Sequence, residues 1–327
     1  INRIYHHGSR GYCSSLQYFC DNRRLIASVG ILAVGTFLYC GIIMFGITLA
    51  FLHLNRTHTS AGASFTWVST IFNPTLGFFV GWSLLVSSAV FMVSGTIPAA
   101  TATLALVSPD RVTDPISVTL VAAGWLLLVS VIVIKGIKLA SYMQVLLTVV
   151  ELGILFILII ASFFYFSSHP AQTLTWHDLA LTSFTPQSFA AGALTALFFF
   201  WGWDVTLNLS EETANGKDNP GRGAMWAMGI ILLLFTSYTV VIQFAFTQAE
   251  IEAAGTNILF ALAEKLFPAP YSYMAVIAVI LSTVGTLETT ILQFTRTLYA
   301  KSRSKALHPR YGQLHKKWKT PWFATLL

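Results

Sequence analysis

Phe198-Phe199-Phe200-Trp201-Gly202-Trp203-Asp204-Val205-Thr206-Leu207-Asn208-Leu209-Ser210-Glu211-Glu212 begins as hydrocarbon and ends in paired carboxylates. Its middle holds a glycine, two tryptophans and an acid, where a simple membrane helix carries leucine. A glycine beside polar residues inside an apolar run points to a broken helix. Irregular backbone at membrane depth is tolerated only where it lines a cavity or is buried in protein. The stretch therefore separates a passive anchor from a protein that handles a polar ligand inside a membrane.

The rest of the chain agrees with a membrane setting. Of 327 residues, 55% are hydrophobic and 10% are charged, against about a quarter charged in soluble domains. Mean hydropathy is +0.69. Long apolar runs with few charges define an all-α polytopic membrane protein. The net charge of +6 is not a nucleic-acid signal, because most of it flanks apolar spans and so reads as topology. Cys13, Cys20 and Cys40 are too few for a disulfide framework. Cys13 and Cys20 with His6 and His7 match no standard zinc spacing. Residues 1–24 lack the continuous apolar core of a secretory signal.

From residue 25 onward seven spans are expected, at about 25–54, 65–107, 115–134, 139–166, 187–209, 224–246 and 271–299. The second opens with a short interfacial piece before Asn73-Pro74, and Pro98 kinks or ends it. Residues 55–64 read as a polar loop, and residues 167–186 as another. Residues 248–267, with Ile251, Ile258, Leu259, Leu262 and Leu266 at near-helical spacing, read as a surface amphipathic helix rather than a span. The apolar run after Thr320-Pro321 is too short to cross a bilayer, which needs about 20 residues.

Lysine and arginine set the orientation. The loops after alternate spans carry Arg56; Lys135 and Lys138; Lys217 and Arg222; and Lys301, Arg303, Lys305, Arg310, Lys316, Lys317 and Lys319. The other loops carry Arg111 and Lys265. The first set is assigned to the cytoplasm. That assignment leaves the four arginines of residues 1–24 outside, a conflict that a preceding membrane helix removes.

Four motifs together resemble the amino acid–polyamine–organocation permeases, which have the leucine-transporter-like inverted-repeat fold. Ala61-Gly62-Ala63-Ser64-Phe65-Thr66-Trp67-Val68 with Gly77-Phe78-Phe79-Val80-Gly81-Trp82 is similar to that family's lead into helix 3. Gly136-Ile137-Lys138 is similar to its helix 4–5 turn. Phe200-Trp201-Gly202-Trp203-Asp204, Glu211-Glu212 and Asn219-Pro220-Gly221-Arg222 resemble its helix 6 signature. Ser282-Thr283-Val284-Gly285-Thr286 through Arg296-Thr297-Leu298-Tyr299-Ala300, then His308-Pro309 and Thr320-Pro321, resemble helix 8 and the following loop. The resemblance implies that residues 25–327 are helices 2 to 8 of a twelve-helix permease. Helix 1 has no counterpart in residues 1–24, and the chain reads as an internal piece ending before helix 9.

The same resemblance implies a site. In inverted-repeat transporters a substrate's charged ends meet broken helices near the midplane. Phe199, Phe200, Trp201, Gly202, Trp203 and Asp204 are the substrate-binding candidates. Plain alternatives stand beside them: core packing for the phenylalanines, an interface anchor for Trp203, and a hydrogen bond stapling the break for Asp204. An intramembrane acid is costly and commonly functional. Of Glu211 and Glu212, one is expected to be solvated and the other to bridge to a base such as Arg222 in an inner gate. Glu151 and Glu288 are candidate coupling or gating acids, with hydrogen-bonded packing as the alternative for Glu151. Ser282, Thr283 and Thr286 could offer oxygens to a coupling ion. Proton coupling or exchange is expected over sodium, with no cofactor and no metal.

The resulting expectation is a secondary transporter of an amino acid or related amine, in contact with membrane lipid and not with nucleic acid, in the plasma membrane. The alternative is a transport-incompetent piece or a structural membrane subunit. No nucleophile–base spacing or phosphate loop supports an enzyme.

Overall fold

The computed structural model describes residues 29–168, 170–254 and 258–326. The polar segment 1–24, with its arginines and the His6, His7, Cys13 and Cys20 group, lies outside the described residues. Among the described residues regular structure is entirely helical. The main helices are α1 (Ala33–Thr57), α2 (Ser64–Ile71), α3 (Pro74–Val107), α4 (Pro115–Lys135), α5 (Ile137–Phe166), α6 (Pro186–Phe199), α7 (Val205–Asn208), α8 (Asn219–Ala245), α9 (Gln248–Ala254), α10 (Ile258–Leu266) and α11 (Met274–Arg303). Among the described residues six stretches are long and apolar enough to cross a membrane: α1 with its leading turn, α3, α4, α5, α8, and α11 with its leading turn. The seventh expected span is the broken pair α6–α7.

Local sequence sets several of these boundaries. Asn73 caps α3 by accepting a hydrogen bond from the Leu76 N–H at 2.8 Å, and Pro74 fills the first helical position. Asp114 caps α4 by accepting from the N–H groups of Ile116 and Ser117, and the Ser117 hydroxyl and N–H hold its carboxyl below the usual range. Gly136, at φ +130°, makes the turn between α4 and α5. Pro98 does not end α3, which continues nine residues beyond it to Val107. The predicted loop at 55–64 begins later than expected, because α1 runs on to Thr57. Asn55 is buried there and donates from Nδ2 to the carbonyls of Gly216 and Lys217.

Two packing groups emerge. α1 packs on α8 and α6, while α11 packs on α3, α5 and α4. In the first group Gly41 faces Leu232 and Gly221 faces Leu52 so closely that neither glycine has room for a Cβ. Small residues permit this approach between membrane helices. α5 also touches α8, and α7 touches both α8 and α11, so these two elements join the groups. Residues 248–267 form the two helices α9 and α10 on either side of 255–257, and they are amphipathic as expected. Their apolar face, however, is not at the surface: Ile251, Ile258, Leu259 and Leu262 are buried in the main core. Lys265 fastens this unit by donating to the Ala245 carbonyl at 2.8 Å and pairing with Glu250 at 3.0 Å.

Lys301 corrects the topological reading. It was counted with the cytoplasmic loop cations, yet α11 continues past it and its side chain is 0% exposed. Its Nζ donates to the Phe78 carbonyl at 3.0 Å and lies 3.9 Å from the centre of the Phe78 ring, with the Phe65 and Trp82 rings at 5.7 and 5.6 Å. A desolvated ammonium against aromatic faces gains about 2 kcal/mol. This cage joins the end of α11 to α2 and α3. The remaining loop cations keep the same bias. Lys301→Ala is expected to lower the stability of the detergent-solubilised protein by about 2–4 kcal/mol. Lys316→Ala, at an exposed position, should stay within about 0.5 kcal/mol. Thermal midpoints measured side by side check this.

Candidate functional site

The broken helix builds the site. α6 ends at Phe199, residues 200–204 turn, and α7 starts at Val205. Gly202 sits at φ +96°, a conformation that L side chains rarely adopt. Phe200 N–H bonds to the Leu197 carbonyl at 3.2 Å and Val205 N–H to the Gly202 carbonyl at 3.3 Å, both tighter than the α-helical step. The helical ladder is thus interrupted where the sequence placed its glycine.

A cavity of about 290 Å³ opens beside the turn. Phe200, Trp201 and Trp203 give it aromatic walls, Met44 of α1 and Leu84 of α3 contribute apolar ones, and Asp204 with Gln293 of α11 forms its polar part. Gln293 Nε2 donates to Asp204 Oδ2 at 3.1 Å. Trp201 is 42% exposed. Trp203 is buried and meets Phe51 at 5.0 Å, and Phe51 in turn meets Trp67; Trp203 is therefore not an interface anchor. Phe199 does not line the cavity. It packs edge-on against Phe37 at 4.8 Å and Phe235 at 4.9 Å, which is the core-packing alternative. Asp204 combines both of its alternatives: it lines the cavity and its hydrogen bond to Gln293 staples the break to α11.

The far end of the broken helix is tied down by charge. Glu212 accepts two hydrogen bonds from Arg296, from Nε at 2.7 Å and Nη2 at 3.0 Å. Arg296 is only 1% exposed and the Glu212 side chain 29%, so a buried guanidinium meets a partly exposed carboxylate in a bidentate pair. Glu211 pairs with Arg303 at 2.5 Å and accepts from the Ala61 N–H at 2.9 Å. Asn208 donates to the Ala61 carbonyl at 2.9 Å, so the 58–63 loop is held on both sides of one residue. The expected partner Arg222 is exposed and takes neither glutamate. It lies at the start of α8, whereas both acids face α11. Both glutamates are paired, and both remain in part exposed to solvent.

The other predicted residues are not in the cavity. Thr283 and Thr286 donate to the carbonyls of Val279 and Ser282 within their own helix, at 2.6 and 2.8 Å. Ser282 lies within reach of the Glu151 carboxyl. Glu288 is buried elsewhere on α11. Sequence reasoning missed Gln293, Arg296 and Arg303 as partners. Their positions fall at i, i+3 and i+10 of one helix, a single stripe facing α7 and the segment after it. An arginine inside an apolar span was the available signal, since such a charge needs a partner.

The fold and cavity define an integral, multi-pass membrane protein whose one discontinuous helix faces an aromatic, acid-bearing pocket. Residues 2–327 match the amino acid permease family, and the chain belongs to that family. It is 22% identical to the methylthioribose transporter of Bacillus subtilis over 82% of this chain and 59% of that protein. It is 23% identical to the low-affinity putrescine importer PlaP of Escherichia coli over 84% of this chain and 60% of the importer. It is 28% identical to the serine/threonine exchanger SteT of Bacillus subtilis over 43% of this chain and 33% of the exchanger. The chain thus spans about three fifths of the length of the first two relatives. All three are transporters by name, not enzymes.

Glu212→Gln removes the charge that pairs with a buried guanidinium and is expected to cost about 3–5 kcal/mol. Glu212→Gln combined with Arg296→Met should recover most of that loss, since no unpaired charge remains. Denaturation of the single and double variants in detergent measures the coupling.

Proposed function

We propose that the protein is a secondary transporter that carries amino acids or related amines across the cell membrane by alternating access. The observation that carries this reading is the cavity at the helix break, where one carboxylate meets aromatic walls at the junction of two packing groups. An ammonium can bond to Asp204 and lie against the ring faces of Phe200, Trp201 or Trp203. Gln293 orients the carboxylate for it. The backbone around Gly202 departs from the helical ladder, and such backbone supplies polar groups to a substrate's other end. The names of the relatives fit a site of this kind, being an exchanger of serine and threonine, a putrescine importer and a methylthioribose transporter.

The Glu212–Arg296 and Glu211–Arg303 pairs serve as the inner gate in this reading. They join the broken helix to α11 on the side that the lysine and arginine bias assigns to the cytoplasm. Opening towards the cytoplasm requires them to separate. Lipid covers the apolar outer faces of α3, α4 and α5, where Val90, Val93, Leu120, Leu127, Val145 and Val149 are exposed. Drive comes from a proton or from exchange for a counter-substrate.

The full-length protein in proteoliposomes should accumulate labelled amino acids or diamines. Asp204→Asn should weaken the uptake of an amine by roughly 10–100-fold in affinity, the equivalent of one hydrogen bond to a charged group of about 1.5–3 kcal/mol. Absence of uptake across a broad panel, with and without a pH gradient, would refute the transporter reading.

A further inference from the structure

A second polar locus lies away from the cavity, in the contact between α5 and α11. Gln144, Thr148 and Glu151 share one face of α5 at i, i+4 and i+7. Ser282 and Gly285 lie on the facing side of α11, and Glu288 follows one helical turn beyond Gly285. Gly285 lets the two helices close on a polar side chain: a Cβ there would stand 3.3 Å from both the Oε1 and the Nε2 of Gln144. Around this contact Val129, Val133, Leu147, Leu287 and Ile291 form a single apolar cluster.

The hydrogen-bond inventory of this seam does not close. Gln144 Nε2 reaches Thr148 Oγ1 at 3.5 Å. Two acceptors are left over: Gln144 Oε1 and Glu288 Oε1 are both buried, and neither receives a hydrogen bond from any described residue. Glu288 as a whole is 2% exposed. A buried, unsatisfied acceptor is costly, and a buried unpaired carboxylate far more so. Both acceptors lack a donor, and a proton on the carboxyl removes the costlier of the two defects, an unpaired buried charge. Only the carboxyl can carry it.

Among the described residues no ion pair engages Glu288. α3 has no titratable side chain along its length, and α4 has only Lys135, exposed at its end. α5 carries Lys138 and Tyr142, both exposed, and Glu151, which offers no positive charge. At the start of α7, Asp204 is engaged by Gln293. On α11 itself Arg296 is committed to Glu212, Arg303 to Glu211, and Lys301 to its aromatic cage.

We propose that Glu288 is a proton-binding site: a carboxylic acid in the closed α5–α11 seam that releases its proton to water when the seam opens. The step balances as carboxylic acid to carboxylate plus a proton taken up by water, and it reverses when the seam closes. This rests on the transporter reading for its place in a cycle, but the protonation itself does not. Glu288 lies on a different side of α11 from Gln293, so the proton and the substrate occupy separate sites joined through one helix.

Infrared difference spectroscopy of the purified full-length protein across a pH titration tests the site without transport. A protonated buried carboxyl gives a carbonyl stretch that shifts in heavy water. Glu288→Gln should delete a band that Glu151→Gln leaves in place, and Gln144→Leu, which keeps the acid, should move it. A Glu288→Gln spectrum identical to wild type, or a band indifferent to Gln144→Leu, would overturn the site. In proteoliposomes Glu288→Gln should retain exchange of substrate at equal pH and lose at least tenfold of the stimulation by a pH gradient. Undiminished stimulation would overturn the link to the cycle. A protein that shows the band but moves no substrate would refute the transporter reading and leave the proton site standing.

Discussion

The buried guanidinium of Arg296 fixes the geometry on which the rest depends. A charge with 1% exposure inside an apolar helix is admissible only if its partner is equally fixed. Glu212 meets it with two hydrogen bonds, and the fork of the guanidinium allows little freedom in how the carboxylate approaches. The broken helix is therefore anchored at one end by a bidentate pair and at the other by the Gln293–Asp204 bond. Between those anchors lie α7 and a single 3-10 turn, Ser210–Glu212. A chain interrupted at Gly202 has lost the helical ladder that would otherwise hold it straight. The two side-chain anchors replace that ladder, and both come from the same helix.

This arrangement explains why the cavity lies where it does. α1, α6 and α8 form one packed group and α3, α4 and α11 another. α6 belongs to the first, while α7 touches both α8 and α11, so the break in the helix lies where the two groups meet. Met44 and Leu84 line the cavity from opposite sides of that boundary. A pocket between two bodies can change access by relative movement of those bodies, whereas a pocket inside one rigid core cannot. The polar tethers to the 58–63 loop, through Asn208 and Glu211, extend the same junction to the connection between α1 and α2.

The fold was largely legible in the sequence because it depends on local properties. Apolar run length gave the spans, Asn73-Pro74 and Asp114-Pro115 marked helix starts, and Gly202 between tryptophans marked the break. The cavity wall was legible in part, since Phe200, Trp201, Trp203 and Asp204 are contiguous with that glycine. What escaped were long-range pairings. Nothing in the spacing around Glu212 says that its partner is 84 residues away and not the nearby Arg222. Lys301 resembles its neighbours Arg303 and Lys305 in sequence, and only the proximity of Phe65, Phe78 and Trp82 takes it into the core. Phe199 and Phe200 are adjacent, chemically identical and both buried in the core, yet only Phe200 also reaches the cavity wall. The turn that begins between them decides this, and a one-residue difference in where a helix ends is below what periodicity resolves.

The buried polar groups divide into two kinds, and the division carries functional meaning. Arg296 and Lys301 are fully engaged with protein partners, so each is committed to holding helices together. Asp204 and Glu288 are not engaged in that way. Asp204 has one neutral hydrogen-bond donor and faces a cavity, and Glu288 has a buried oxygen with no donor at all. Keeping an acid at membrane depth without a cationic partner is unfavourable for stability alone, because an apolar residue would pack there at lower cost. The two acids therefore mark places where the protein retains capacity for something that arrives from outside the fold. Around Asp204 there is space and aromatic surface, which suits a molecule; Glu288 is 2% exposed and lines no part of that cavity, which suits a proton. That contrast in surroundings, not the shared chemistry of the carboxyl group, assigns the two acids to different ligands.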